Sequence, residues 1–276
     1  MNRVSCGIAY DGVGYIGWQV QPNGLSLQHV IETALSKVAN QAITIFCAGR
    51  TDKGVHAVCQ VIHFDTQAQR SETDWVRGTN TYLKETKIRL LWAKVVPSDF
   101  HARFSASARS YLYLIDTRTI SPTHTKDLVL WHPQKLNVET MNQAAQYCIG
   151  KHDFSFFRAI GCQAKSPVKT VSRMVVVEHE RYVLLFIKAN SFLYHMVRYL
   201  VHMLLEIGMN KQPVELMAEA LAAPQMTPAI HKKLAKPHGL YLYGIDYHDG
   251  FYPEGSTGDH WLVGNDTRLE MILNGR

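Results

Sequence analysis

Asp52 is a carboxylate set between two cations and two glycines, in the run Gly49, Arg50, Thr51, Asp52, Lys53, Gly54. Apolar β-like runs at 43–46 and 58–64 lie on either side of it. Glycine lets the backbone turn tightly or enter positive φ, so the run reads as the crest of a turn between two strands. A carboxylate with a cation on each side stays ionised at neutral pH, which suits a nucleophile better than a proton donor. The same spacing also describes an ordinary solvated Arg-Thr-Asp turn, and on spacing alone both readings stand.

Other chemistries fare worse. There are 14 histidines, but His195 and His202 stand seven apart with Arg198 between them, and neither an H-E-x-x-H nor a C-x-x-C pair occurs; no metal site is expected. A serine hydrolase would need a G-x-S-x-G elbow, which the chain lacks. Gly12, Gly14 and Gly17 do spell G-x-G-x-x-G after a strand-like run. A dinucleotide site, however, needs a helix to open on those glycines so that its N-terminus meets the pyrophosphate. Pro22, Asn23 and Gly24 intervene, the helix is expected only after Ser26 as its N-cap, and no acidic residue ends the next strand. Nicotinamide binding is therefore disfavoured, and no cofactor is expected.

The elements that must hold Asp52 follow from periodicity. Alternation predicts a strand over 4–10. Leu27, Val30, Ile31, Ala34, Leu35 and Val38 share one face of a helix over about 27–38. Two strands then flank the Asp52 turn, a second helix opens near Ser71 with Glu72 and Asp74 in its first turn, and a strand over 88–96 stops at Pro97. This β-α-β-β-α-β order is that of a ferredoxin-like half, with helices on one face of an antiparallel sheet and the other face left for a ligand. Beyond it come a strand carrying Tyr111 and Tyr113, a helix over about 138–149, strands over 171–178 and 182–190, a long helix over 192–207, a shorter one from Pro213 and a last strand over 240–247. The organisation is read as an N-terminal half at 1–106, a second α/β half at 107–248 and a tail at 249–276, within which 261–273 either docks or is loose.

On the long helix His195, Arg198, His202 and Glu206 follow helical spacing away from the apolar side, so Arg198 faces either a cleft or solvent. Tyr111 is either a pocket residue or a tyrosine packed in its sheet. Aromatic and basic residues interleave at 100–104 and 151–169, a pattern suited to phosphate contact and base stacking, although Phe154, Phe156 and Phe157 fit a core equally well. With 276 residues, 46% hydrophobic and 19% charged, the chain is globular. Its net charge of +6 favours a polyanionic partner. Five scattered cysteines form no disulfide framework, no uninterrupted apolar run is long enough for a membrane span, and Met1 is followed by no apolar leader. A cytoplasmic protein is expected.

The run Gly-Arg-Thr-Asp-Lys-Gly-Val-His-Ala at 49–57 resembles the signature of the TruA-type tRNA pseudouridine synthases. Four further blocks resemble that family in the same order: Tyr10 to Gln19, Ala-Arg-Ser-Tyr-Leu-Tyr at 108–113, the 161–165 loop, and Asn-Ser-Phe-Leu-Tyr-His-Met-Val-Arg at 190–198. Cys47 and Cys59 stand where glycine is usual, and Lys53 where alanine is common. The resemblance implies an α+β pseudouridine synthase fold, with two ferredoxin-like α/β halves sharing an extended antiparallel sheet and a central catalytic cleft. It implies Asp52 as nucleophile, Tyr111 and Arg198 as substrate-pocket residues, and Arg50 as the group that extrudes the target nucleotide. It implies RNA contact by Phe100, His101, Ala102, Arg103 and Phe104 and by Gly161, Cys162, Gln163, Ala164 and Lys165. The expected partners are tRNA, at positions 38, 39 and 40 of its anticodon stem-loop, and a second copy of the chain. A catalytically idle RNA-binding protein on the same fold is the rival reading.

Overall fold

A computed structural model describes residues 1–222 and 233–247; the expected tail at 249–276, with its 261–273 segment, lies outside the described residues. Contacts divide the chain into two units, one of Met1–Ser107 together with the strand from Tyr241, the other of Ala108–Leu240.

The first unit runs β1 (Asn2–Tyr10), α1 (Leu27–Ala39), β2 (Phe46–Cys47), β3 (His56–Thr66), α2 (Glu72–Tyr82) and β4 (Ile88–Val96). β1 pairs antiparallel with both β3 and β4. The helix starts are those the caps dictate: Ser26 accepts from the His29 N–H, and Ser71 and Asp74 form a reciprocal capping box. α1 ends on Asn40, whose φ of 51° is the left-handed C-cap that asparagine tolerates. α1 buries Leu27, Ile31, Ala34 and Leu35, and the Trp75 indole of α2 meets the Phe64 ring of β3 edge-on at 5.1 Å.

β3 is buried along nearly its whole length on both faces. The face opposite Phe64 is therefore not left bare as expected: the 98–105 segment lies over it at His63. Arg3 fixes this segment by donating to the Ser98 and Phe100 carbonyls at 2.6 and 2.8 Å while holding Asp65 through two further bonds. The Ala102 N–H donates to His63 Nδ1 at 3.1 Å.

In the second unit β5 (Ala106–Asp116), β6 (Leu130–Trp131), α3 (Val138–Gln146), β7 (Gly150–Asp153), β8 (Val168–His179), β9 (Tyr182–Ala189), α4 (Met196–Gly208) and α5 (Leu216–Ala222) follow in order. β9 lies between β5 and β8, and β7 pairs with β8, all antiparallel. The long helix begins four residues later than its apolar period suggested, because His195 adopts φ 64° and cannot continue a right-handed helix backwards. Phe154, Phe156 and Phe157 are core residues.

The last strand, β10 (Leu240–Tyr247), pairs with β3 in parallel, as β6 does with β5. This corrects the expectation of a purely antiparallel sheet. Both parallel strands arrive after long excursions, and without a hairpin nothing forces the antiparallel direction. Among the described residues no helix is long and apolar enough to cross a membrane, and no three His, Cys, Asp or Glu side chains cluster as a metal set would.

Candidate active site

The Asp52 loop leaves β2 and returns into β3, and every residue before Asp52 except Arg50 is tied down. Ala48 N–H donates to the Val61 carbonyl at 2.8 Å. The buried Gln60 amide both accepts from Gly49 N–H and donates to Gly49 O. Thr51 is held twice: its carbonyl accepts the Trp18 N–H at 3.0 Å, and its hydroxyl shares a 2.8 Å hydrogen bond with the Tyr10 hydroxyl. After Asp52 the chain closes a four-residue turn, with Val55 N–H donating to Asp52 O at 3.1 Å and Gly54 at φ 76° in the position where such a turn needs positive φ. Asp52 is half-buried, while Arg50 and Lys53 are exposed. The loop thus presents a carboxylate on a fixed backbone with two exposed cations beside it.

Its floor is the Gly12–Gly17 stretch, in which Gly12 and Gly17 serve packing. A Cβ on Gly12 would lie 2.1 Å from the Val55 carbonyl oxygen, and one on Gly17 would lie 3.1 Å from Thr51 O and 3.2 Å from Lys53 N. Gly12 N–H donates to Nδ1 of the buried His56 at 3.2 Å, and that ring stacks on Tyr241 with centroids 4.6 Å apart. Asp11 Oδ1 sits 3.1 Å from the same nitrogen, and Lys87 reaches Asp11 Oδ2 at 2.7 Å. Burial pushes the Asp11 carboxyl up, but its polar surroundings at His56, Lys87 and Val13 outweigh it and hold it well below the usual range.

The five residues 100–104 divide sharply. Phe100 and Ala102 are buried, and only His101, Arg103 and Phe104 reach the surface, Phe104 at 75% exposure. The His101 and Phe104 rings lie 4.3 Å apart, and the half-exposed Phe46 ring sits 5.6 Å from His101. Burial pushes the Cys47 thiol up to about 12, against the opposing pull of the Arg50 and Arg103 charges.

Tyr111, on β5 of the second unit, is half-buried and meets Phe192 edge-on at 5.0 Å. Tyr113, two residues on, is fully buried and donates to the Lys236 carbonyl at 2.7 Å. Arg198, in the first turn of α4, donates from Nε to Ala235 O at 2.8 Å, and Ala235 N–H returns a bond to Arg198 O at 3.2 Å. Of the 161–165 loop, Gly161, Gln163 and Lys165 are exposed. Arg158 braces the loop by donating to the Cys162 and Ala164 carbonyls, each at 2.9 Å. Cys162 Sγ accepts the Tyr194 N–H at 3.3 Å, which ties the loop to the turn that opens α4. The structure therefore joins Asp52 with Arg50 and the 100–104 segment in one unit, and Tyr111 with Arg198 and the 161–165 loop in the other.

Sequence reasoning did not identify Tyr10, Thr51, His56 and Gln60 as parts of the site. The signal that was present is the set of glycines at 12 and 17, which marks a close backbone approach without saying to what.

The family described as tRNA pseudouridine synthase matches this chain over residues 8–105 and 144–248. The tRNA pseudouridine synthase A of Pseudomonas aeruginosa is 45% identical over 266 residues, covering 96% of this chain and 92% of that one. The tRNA pseudouridine synthase A of Escherichia fergusonii is 47% identical over 249 residues, covering 90% of this chain and 91% of its own. The first matched span of the family contains the Asp52 loop and its glycine floor, and the second contains the Arg198 helix. The chain belongs to the TruA-type tRNA pseudouridine synthases, which are isomerases.

Proposed function

We propose that the protein converts uridine to pseudouridine at positions 38, 39 and 40 of the tRNA anticodon stem-loop, with Asp52 as the nucleophile. The observation that carries the reading is Asp52 itself, a half-buried carboxylate on a loop whose backbone is fixed before and after it, in a chain whose curated relatives are named for this reaction. The reaction breaks the N1–C1′ bond of the nucleotide, turns the uracil, and forms a C5–C1′ bond. C5 loses a proton and N1 gains one, so the conversion is redox-neutral and needs neither cofactor nor metal.

The target base must first leave its stack, at a cost of a few kcal/mol. Arg50, exposed beside Asp52, would take up the vacated space. Tyr111 would hold the detached uracil by stacking, and Arg198 would pair with Asp52 and orient it. His101, Arg103 and Phe104, with Gly161, Cys162, Gln163, Ala164 and Lys165, would hold the RNA, while Phe100 and Ala102 support their loop from within. The two halves, 1–106 and 107–248, would be ferredoxin-like units that share a sheet and a cleft. The working form would be a cytoplasmic homodimer.

The test is to treat unmodified tRNA transcripts with the protein, map pseudouridine by carbodiimide labelling and primer extension, and repeat with Asp52→Asn and Arg198→Ala. Stops at 38, 39 or 40 that vanish in Asp52→Asn and weaken in Arg198→Ala are expected, with tRNA binding retained in both. Stops elsewhere would overturn the position, wild-type stops in Asp52→Asn would overturn the nucleophile, and tight binding without stops would leave an idle RNA-binding protein.

A further inference from the structure

We infer that residues 10–18 are a rigid seat for the Asp52 loop, in which Tyr10, acting through Thr51, is a positioning residue for the reactive carboxylate; the inference rests on the reading of Asp52 as nucleophile. The three glycines of this stretch serve three different needs. Gly12 makes room for the Val55 carbonyl, Gly14 takes φ 91° with nothing packed against its open side, and Gly17 combines φ 114° with close approach to Thr51 O and Lys53 N. Only Gly14 is glycine for conformation alone.

Five N–H groups of the stretch are also spent on acceptors within the chain and do not face an anion. A phosphate site needs backbone N–H groups pointing at the ligand. Here the N–H groups of Gly12, Val13, Tyr15, Ile16 and Trp18 donate to His56 Nδ1, Asp11 Oδ1, Gly12 O, Leu25 O and Thr51 O. What the pattern of glycines builds is a surface on which another loop can lie.

That loop is held on both sides of Asp52. Thr51, its immediate neighbour, is clamped through its carbonyl by Trp18 and through its hydroxyl by Tyr10, and it is almost fully buried. Val55 closes the turn onto Asp52 O and rests its own carbonyl on Gly12. With the backbone pinned one residue before and three after, the Asp52 Cα is placed by two hydroxyls, the Trp18 N–H and two close glycine contacts. Displacement of a reacting group by about 1 Å is enough to cost on the order of 100-fold in rate, so loosening this clamp acts on turnover before it acts on binding.

The experiment compares Tyr10→Phe, Thr51→Val and Thr51→Ser with the wild type and with Asp52→Asn, reading kcat and KM on a tRNA transcript together with Tm. Tyr10→Phe removes one hydroxyl and keeps the ring; Thr51→Val removes the other and keeps the shape; Thr51→Ser restores an Oγ. A fall in kcat of about tenfold or more in the first two, with KM and Tm little changed and serine restoring most of the rate, is expected if geometry is what the clamp supplies. Wild-type kcat in Tyr10→Phe and Thr51→Val, while Asp52→Asn is dead, would overturn the seat and leave the nucleophile standing. A kcat loss that tracks a drop in Tm, with no rescue by serine, would also overturn it, since that is the mark of general destabilisation. Activity in Asp52→Asn would remove the reading on which the seat depends.

Discussion

Phe100 and Phe104 stand four residues apart in one loop and on the two sides of its boundary with solvent. Phe100 packs against His63 and Tyr247 at 7% exposure, whereas Phe104 stands in solvent with the Arg103 guanidinium 5.6 Å from its ring centroid. The sequence shows an aromatic and basic block at 100–104 without showing which members face out, because a loop has no period from which to read a face. Truncating the two should therefore separate stability from binding. Phe100→Ala should cost about 3–5 kcal/mol of folding stability, as buried phenylalanines do, and be visible as a fall in Tm. Phe104→Ala should leave Tm nearly unchanged and weaken tRNA binding by the worth of one stacked base, about 1–3 kcal/mol. Equal tRNA affinities for wild type and Phe104→Ala in a filter-binding or fluorescence titration would remove Phe104 from the RNA-contacting set. The same division explains what could be read of the candidate site. Asp52 and Arg50 stood out because glycines frame them; Thr51 and Tyr10 did not, because a threonine and a tyrosine carry no mark of the hydrogen bond they will share.

At the level of elements, caps and alternation were legible and short or strained pieces were not. Ser26 and Ser71 open α1 and α2 as their hydroxyls require, and β4 spans the residues its pattern predicts. β2 and β6 have two residues each, too few to carry a period, and the start of α4 is set by the left-handed His195, which no helical pattern announces. β3 hides a further property in His63. Its Nδ1 accepts the Ala102 N–H, Phe46 stacks on its ring at 5.1 Å, and His101 meets it edge-on at 4.5 Å. Burial first, then the charges of His101 and Arg3 against that of Asp65, brings its pKa down to about 4. Unfolded, the same histidine titrates near 6.5. Between those values the unfolded chain binds the extra proton, so stability is complete above about pH 6.5 and falls as pH drops toward 4, by on the order of 2 kcal/mol from this group. The downward shifts at His101 and His202 add in the same direction. Urea midpoints at pH 7.5, 6 and 5 should decline in that order, and His63→Asn, which keeps an acceptor for Ala102, should flatten the decline. A wild-type midpoint independent of pH over this range would show that His63 is protonated without loss of its place.

For the whole molecule the feature hardest to foresee is β10, whose Tyr241 and Leu242 pair in parallel with His56 and Ala57 and whose Tyr247 hydroxyl donates to Ala102 O at 2.6 Å. No local period encodes a parallel partner from so early in the chain, and the strand's own alternation says only that it is a strand. Charge, by contrast, is legible from composition. A surplus of +6 has no use inside a fold; it acts on what approaches. Among the residues offered to solvent are Arg50, Lys53 and Arg103 near the Asp52 loop, and Lys151 and Lys165 in the second unit. A polyanion held by such groups releases its condensed counterions, so the logarithm of the tRNA association constant should fall linearly with the logarithm of salt concentration, each phosphate contact adding a little under one to the slope. Arg103→Ala should reduce that slope by about one, and Phe104→Ala should lower affinity while leaving the slope unchanged, because stacking releases no ions. Turnover at saturating tRNA should respond far less to salt than affinity does, since the conversion at the sugar follows docking and involves no further phosphate. Binding that is indifferent to salt would mean that the basic surplus is not what meets the RNA, and a kcat that falls in step with affinity would mean that phosphate contacts are still forming in the chemical step.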